Sequence, residues 1–246
     1  MTGSTAMLNS FELFAEPMYA PAQQGYSLLV FATNWGYTGT WNEFCAKISK
    51  LGYDGAEIWF PSEEAQRKEI FEASETNGLK MGFLVGGWEQ DPKKHLDQFT
   101  SAAEAAVKHK PVYINCHSGR DFFSFDHNRK FIELTSKLAK SSGVPIYHET
   151  HRSRILYSAP VARQYMEAMP DLRVTFDVSH WCNVHESDLS DQAKTLSLTL
   201  DRVDHIHARI GHSEGPQVSD PRAPEWKNFV TGHFLWRDNV VVRQRR

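Results

Sequence analysis

The side chains best suited to chemistry in this chain are carboxylates and imidazoles that follow short apolar stretches. Residues 144–151 (VPIYHETH) begin as an apolar and aromatic run and end in His148, Glu149 and His151. A buried strand that ends in this way presents a carboxylate and imidazoles at one rim, which a divalent metal site or a proton-transfer site requires. Two further apolar stretches end in Asp177 and in His207.

These groups stand at the ends of predicted strands within a regular alternation of strands and helices. Apolar runs predict strands at residues 26–32, 55–60, 80–85, 112–115, 144–151, 173–176 and 203–206. Helices are predicted at residues 41–51, 62–77, 92–108, 126–140, 160–169 and 189–200. Because parallel neighbours need crossovers of a dozen or more residues, the alternation predicts a parallel sheet.

Such a sheet can close into a barrel or remain open and doubly wound. The sequence has no G-x-G-x-x-G motif after the first strand and no P-loop, which weakens the case for a nucleotide-binding open sheet. Polar residues recur at the C-terminal ends of six of the seven predicted strands, where barrel enzymes keep their active sites. The sequence therefore favours an α/β fold of the (β/α)8 TIM-barrel type.

Two helix starts carry local signals. Ser62 is a natural N-cap, because Glu63 and Glu64 follow it where the helix dipole favours acidic residues. Asp91 is expected to cap the next helix, with Pro92 at its first position.

Length and composition narrow the class of protein. The 246 residues approach the ~250 typical of one barrel, so we expect an N-terminal extension at 1–24 and a single domain at 25–246. The formal net charge of −3 argues against a nucleic-acid partner. Three widely spaced cysteines suggest reduced thiols in a cytoplasmic protein. No apolar run approaches the ~18 residues of a membrane span.

Three strand ends can converge on one ion. Adjacent strands lie about 4.8 Å apart, so Glu149, Asp177 and His207 are within reach of a common metal. Such mixed ligands suit manganese, zinc, cobalt or magnesium. His205 is expected to be structural and to point away from this rim. Glu149 and Asp177 have a second interpretation, as caps of the helices that follow them.

The chain resembles the xylose isomerase-like barrels of the sugar phosphate isomerase/epimerase superfamily from about residue 26 to residue 236. The motifs that carry the resemblance are DGAEI at 54–58, HETHR at 148–152, DVSH at 177–180 and HIHAR at 205–209. The family implies a divalent metal held by a Glu, an Asp, a His and a second Glu, of which the first three correspond to Glu149, Asp177 and His207. It implies substrate contacts for His180 and Arg209.

Further substrate contacts are expected from His117, His151 and Trp59. The tryptophans near strand ends are explained equally well by a sugar-stacking pocket and by core packing. These tryptophans are Trp35, Trp59, Trp88 and Trp181.

The activity implied by the resemblance is metal-dependent isomerisation or epimerisation of a small sugar or sugar derivative. A base removes a proton next to a carbonyl, and a metal stabilises the resulting enediolate. Glu149 is the expected base. Two alternatives remain open, a catalytically impaired or binding-only barrel, and an abasic-site endonuclease, which the charge balance disfavours.

The chain departs from the family pattern at strand eight, which should carry the second Glu. After Trp226 the only acidic residue is Asp238, and the only strand-like run is residues 240–242. An incomplete eighth strand would leave an edge that favours a homo-oligomer. The long loop at 211–226 offers three possible replacement carboxylates, Glu214, Asp220 and Glu225.

Overall fold

A computed structural model describes residues 27–245. The expected extension at 1–24 lies outside the described residues. The strands are β1 Phe31–Thr33, β2 Gly55–Trp59, β3 Lys80–Gly86, β4 Tyr113–His117, β5 Ile146–Glu149, β6 Val174–Phe176 and β7 Val203–Ile206. The helices are α1 Trp41–Lys50, α2 Glu64–Thr76, α3 Pro92–Val107, α4 Phe125–Ser142, α5 Ala159–Ala168, α6 Val178–Val184, α7 Ala193–Leu200 and α8 Lys227–Gln244. Single 3₁₀ turns lie at Ser190–Gln192 and Pro224–Trp226.

The described residues form two compact units, which we call the first unit and the second unit. The first unit comprises Ser27–Gly119 and Phe125–Tyr147, and the second comprises Arg120–Ser124 and residues 148–245. The expectation of a single domain stays a prediction.

The first unit is built on strands β1 to β4, which pair in parallel and in chain order. The side chains of Phe83, Phe99 and Phe131 are fully buried, and the rings of Phe99 and Phe131 meet edge to face at 5.2 Å. The core of this unit therefore lies between β3 and the helices α3 and α4.

The second unit holds the end of β5 together with β6 and β7, again parallel and in chain order. Glu149 lies opposite Thr175, and Thr175 lies opposite His205 after a register shift in the β6–β7 pair. Trp181 of α6 is fully buried and donates its indole N–H to the carbonyl of Leu156 at 2.8 Å. Of the two interpretations left open for Trp181, core packing is therefore the one that the structure supports.

One of the two predicted helix caps is confirmed. The Asp91 side chain accepts hydrogen bonds from the backbone N–H groups of Lys93 and Lys94, with Pro92 at the first position of α3. Ser62 is not the cap of α2, because the helix begins one residue later and Glu63 is the N-cap.

The segment after β7 forms helix α8 where a strand-like run was predicted. Its buried residues are Gly232, His233, Trp236 and Val240, a spacing of three and four residues that matches one face of a helix. Residues 240–242 continue this helix. The described residues thus contain no eighth strand, and Asp238 is an exposed residue of α8.

The predicted fold class is confirmed as an α/β fold of the TIM-barrel type, in which residues 27–245 form seven parallel strands in chain order with helices between them. The three cysteines are buried and unpaired. Within the described part of the chain, no helix combines the length and the apolar character that a membrane span needs.

Candidate functional site

The second unit brings together the ends of three successive strands. Glu149 is the last residue of β5, and Asp177 and His207 directly follow β6 and β7. The backbone N–H of Asp177 donates to the Thr150 hydroxyl at 2.9 Å, and that of His207 donates to the carbonyl of Phe176 at 3.2 Å. These bonds place the three side chains at the same end of the sheet.

The three side chains form a compact acidic and imidazole cluster. Glu149 Oε1 lies 3.4 Å from His207 Nδ1, and Asp177 Oδ2 lies 3.9 Å from the same nitrogen. The two carboxylate side chains are each 2% exposed and the imidazole is 17% exposed. One ligand atom from each residue lies within 4.8 Å of the other two.

The two oxygens of Asp177 have different partners. Oδ1 accepts hydrogen bonds from the backbone N–H of Ser179 at 3.2 Å and from the Ser179 hydroxyl. Oδ2 accepts a bond from Arg209 Nη2 at 2.7 Å. Asp177 is the N-cap of α6, so the capping interpretation holds for Oδ1 while Oδ2 faces the cluster.

Burial raises the pKa of the Asp177 carboxyl above its ordinary value. The guanidinium of Arg209 opposes this rise, the neighbouring Glu149 carboxylate adds to it, and His207 and the Ser179 hydrogen bond oppose it further. Two buried carboxylates so close together repel each other, and a bound cation relieves this repulsion.

His180 is held as a neutral imidazole beside this cluster. Arg209 Nη2 lies 2.6 Å from His180 Nε2, and because a guanidinium can only donate, Nε2 is the acceptor and the ring proton lies on Nδ1. The pKa of His180 is lowered to about 2, mainly by burial and also by the nearby His151 and Arg209. The rings of His151 and His180 are 3.9 Å apart, so the second unit brings both histidines to the cluster.

The guanidinium of Arg154 interacts with Glu149, the candidate base. Arg154 is buried, and its pKa is lowered to about 10, mainly by burial and also by Arg120. Glu149 and Asp121 oppose this shift. Glu149 therefore interacts electrostatically with a buried positive charge as well as with His207.

The residues present fit a divalent metal. Glu149, Asp177 and His207 offer two carboxylate oxygens and one imidazole nitrogen, and all three donor types are common ligands of zinc, manganese and magnesium. The observation that supports the fit is the close approach of two buried carboxylates to one imidazole.

His205 does not point away from this rim. Its ring meets the ring of His207 edge to face at 5.3 Å, so both side chains lie on the same side of β7. The expectation was wrong because residues two apart along a strand share a face.

The remaining site candidates lie in the first unit. His117 ends β4 and is buried, and Trp59 ends β2. Their rings meet edge to face at 5.0 Å, and the Trp88 ring lies 5.3 Å from that of Trp59. The exposed Trp88 and the half-buried Trp59 thus form an aromatic pair, and their role in substrate binding stays a prediction.

The loop carboxylates do not join the described cluster of Glu149. Asp220 pairs with the guanidinium of Arg222 at 2.8 Å, while Glu214 and Glu225 are exposed. None of the three belongs to the group of ligand atoms around Glu149 in the described residues.

Sequence reasoning missed Ser179, which bonds to both Asp177 and Arg209. No helix was predicted between residues 176 and 189, whereas α6 begins at Val178. An Asp two residues before a Ser at a helix start is the signal that could have identified this contact.

Comparison with known proteins adds a family and a fold. The family model described as the xylose isomerase-like TIM barrel matches residues 45–224. No curated protein matches the chain in sequence.

Three similar solved structures illustrate the fold. A 3-keto-D-glucoside 4-epimerase from E. coli is 20% identical, with a TM-score of 0.55 over 74% of this chain and 78% of that chain. A D-psicose 3-epimerase from Clostridium cellulolyticum H10, solved with D-tagatose, is 15% identical, with a TM-score of 0.55 over 74% and 75%. A xylose isomerase-like TIM barrel protein from Mycobacterium smegmatis, in complex with magnesium, is 11% identical, with a TM-score of 0.57 over 74% and 75%.

At these identities the solved structures support the fold alone. Membership of a family rests on the match to the family model. It covers most of the described chain, including the strand ends that bear Glu149 and Asp177 as well as His207. The chain therefore belongs to the xylose isomerase-like TIM barrel family.

Proposed function

We propose that this protein is a metal-dependent isomerase or epimerase of a small sugar or sugar derivative. The observation that carries the proposal is the convergence of Glu149, Asp177 and His207 at the ends of β5, β6 and β7. Sugar epimerases among the structurally similar proteins support this choice of substrate class.

Glu149, Asp177 and His207 would hold the divalent ion, which is manganese, zinc, cobalt or magnesium. When bound, the metal supplies a Lewis acid that stabilises negative charge on a substrate oxygen. The magnesium in the similar protein from Mycobacterium smegmatis supports a divalent ion at this fold.

Glu149 is the proposed base. Its carboxylate takes a proton from the carbon next to the substrate carbonyl, which gives an enediolate, and returns the proton to the sugar. The buried guanidinium of Arg154 interacts favourably with a negatively charged Glu149.

Substrate binding is assigned to Arg209, His180 and His151 in the second unit. Arg209 and His180 are held in place by a direct hydrogen bond, and both are polar groups that can bond to sugar hydroxyls. In the first unit, His117 offers an imidazole and Trp59 an aromatic face that suits the apolar side of a sugar ring, and their roles in substrate binding stay predictions.

A second candidate function is a binding-only barrel. Inversion at a carbon requires a proton donor on the opposite face of the substrate, and the family supplies it from strand eight. In residues 227–244 the chain forms α8, whose one acidic residue, Asp238, is exposed. This observation favours isomerisation by a single base, or binding without catalysis, over two-base epimerisation.

Solvent deuterium exchange tests the proposal. The full chain is incubated with Mn²⁺ in D₂O and a panel of ketopentoses, ketohexoses and their acidic derivatives, and incorporation is followed by NMR. We expect metal-dependent deuterium at the carbon next to the carbonyl of at least one sugar. If a sugar binds but no panel member exchanges, the isomerase or epimerase function would be rejected in favour of a binding-only barrel.

A further inference from the structure

Ser179 connects a carboxylate and a guanidinium in the second unit. Its backbone N–H donates to Asp177 Oδ1 at 3.2 Å, and its hydroxyl donates to the same oxygen. The hydroxyl oxygen also accepts a hydrogen bond from Arg209 Nε at 3.0 Å. The Ser179 side chain is fully buried, so water does not compete for these bonds.

These bonds decide which oxygen of Asp177 faces the cluster. Because Ser179 holds Oδ1 through two donors, Oδ2 is turned towards His207 Nδ1 at 3.9 Å. A carboxylate without this hydroxyl keeps only the backbone donor on Oδ1 and has more freedom to rotate.

The same hydroxyl sets the plane of the Arg209 guanidinium. Nε donates to Ser179 and Nη2 donates to Asp177 Oδ2 at 2.7 Å, so two bonds along one edge fix a planar group. Arg237 Nη2 donates to the backbone carbonyl of Arg209 at 2.7 Å, so the backbone of Arg209 is restrained as well as its side chain.

The backbone of Gly211 packs directly against Ser179. A Cβ atom at Gly211 would lie 2.5 Å from Ser179 Cα, 2.6 Å from its Cβ and 2.7 Å from its carbonyl oxygen. Only glycine permits this approach. The Gly211 N–H donates to Nε2 of the buried His233 at 3.1 Å, so helix α8 holds the backbone that fixes Ser179.

We infer that Ser179 is a positioning residue, which sets Asp177 to bind a divalent metal through Oδ2 and holds Arg209 against that carboxylate. The inference rests on the proposed function, because it takes Asp177 as a metal ligand. Hydrogen bonds behind a metal ligand typically change metal affinity by about 10- to 100-fold.

The test measures the Mn²⁺ dissociation constant of the full chain by electron paramagnetic resonance titration. Ser179→Ala removes the hydroxyl and leaves the backbone N–H, and we expect about 10- to 100-fold weaker binding. Ser158→Ala is the matched control, since Ser158 is a buried serine of the same unit whose side chain makes no cap hydrogen bond. The control should bind Mn²⁺ as the wild type does.

Ser179→Cys gives a graded variant, because a thiol is a weaker donor than a hydroxyl, and we expect an intermediate dissociation constant. It also takes the place of Ser179→Ala if that variant does not fold.

Thermal unfolding with and without Mn²⁺ separates a structural role of Ser179 from a positioning role. A merely structural serine would lower both melting temperatures equally, whereas a positioning serine also reduces the rise that Mn²⁺ produces.

The outcomes distinguish this inference from the proposed function. Wild-type affinity for Mn²⁺ in Ser179→Ala would overturn the positioning role and leave the proposed function standing. A wild-type protein that binds no divalent metal would overturn the metal site and the role of Ser179 together.

Discussion

Glu149 Oε1 lies 3.4 Å from His207 Nδ1, although β6 runs between the two strands that carry these residues. The contact forms because both side chains extend beyond the strand ends, where β6 contributes Asp177. Three successive strands thus supply one cluster, and each member can be tested separately.

Replacing the proposed base should abolish proton exchange. In Glu149→Gln the amide cannot accept the proton, so deuterium incorporation into the sugar should fall by about 10²- to 10⁴-fold or more. Glu167→Gln is the control, because Glu167 pairs with Arg163 on the surface of α5. Exchange by Glu149→Gln at the rate of the control would exclude Glu149 as the base.

Replacing Asp177 by Asn should remove metal binding with little change to the helix cap. The amide oxygen still accepts the Ser179 N–H at the start of α6, since Asn is as good an N-cap as Asp. Mn²⁺ at 100 times its dissociation constant stabilises a protein by about 2.7 kcal/mol, and this gain should disappear in Asp177→Asn.

Asp188→Asn provides a matched substitution, because Asp188 also accepts the backbone N–H of the residue two positions later, Ser190. Differential scanning fluorimetry with increasing Mn²⁺ compares the two variants. A rise in melting temperature that survives in Asp177→Asn and in the control alike would argue against Asp177 as a ligand.

Acid should destabilise the second unit through His233. Burial lowers the pKa of this histidine to about 4 from 6.5, and its two ring nitrogens bond to Gly211 N and to the Phe229 carbonyl. Because the unfolded chain takes up the proton first, the stability is present above pH 6.5 and is lost as pH falls towards 4. The loss between pH 7 and pH 5 should be about 2 kcal/mol.

Urea unfolding at both pH values measures this loss. His233→Gln should be less stable at pH 7 and should lose about 2 kcal/mol less than the wild type between pH 7 and pH 5. His127→Gln, at an exposed position of α4, should follow the wild type. An unchanged pH dependence in His233→Gln would show that other groups carry the acid sensitivity.

Most of the fold could be predicted from local patterns, but the segment after β7 could not. The three valines at 240–242 have strong strand propensity, and a short apolar run does not distinguish a strand from a helix. The helical spacing of His233, Trp236 and Val240 was visible in the sequence. The packing of these three side chains on one buried face of α8 decides in favour of the helix.

The cluster of Glu149, Asp177 and His207 was predicted because parallel strands place their C-terminal ends together. The partners of Asp177 were harder to predict. The sequence shows that Ser179 is near Asp177, but the link to Arg209 joins residues from α6 and the segment after β7, and only the folded chain shows it.

The most direct test of the central claim is an anomalous difference map from crystals of the full chain soaked in Mn²⁺. We expect one strong peak bonded to the carboxylates of Glu149 and Asp177 and to the imidazole of His207, at the usual metal–ligand distances of about 2.0–2.3 Å. The same soak of Asp177→Asn should show a weak peak or none. A wild-type map without a peak among these three residues would contradict the proposed metal site.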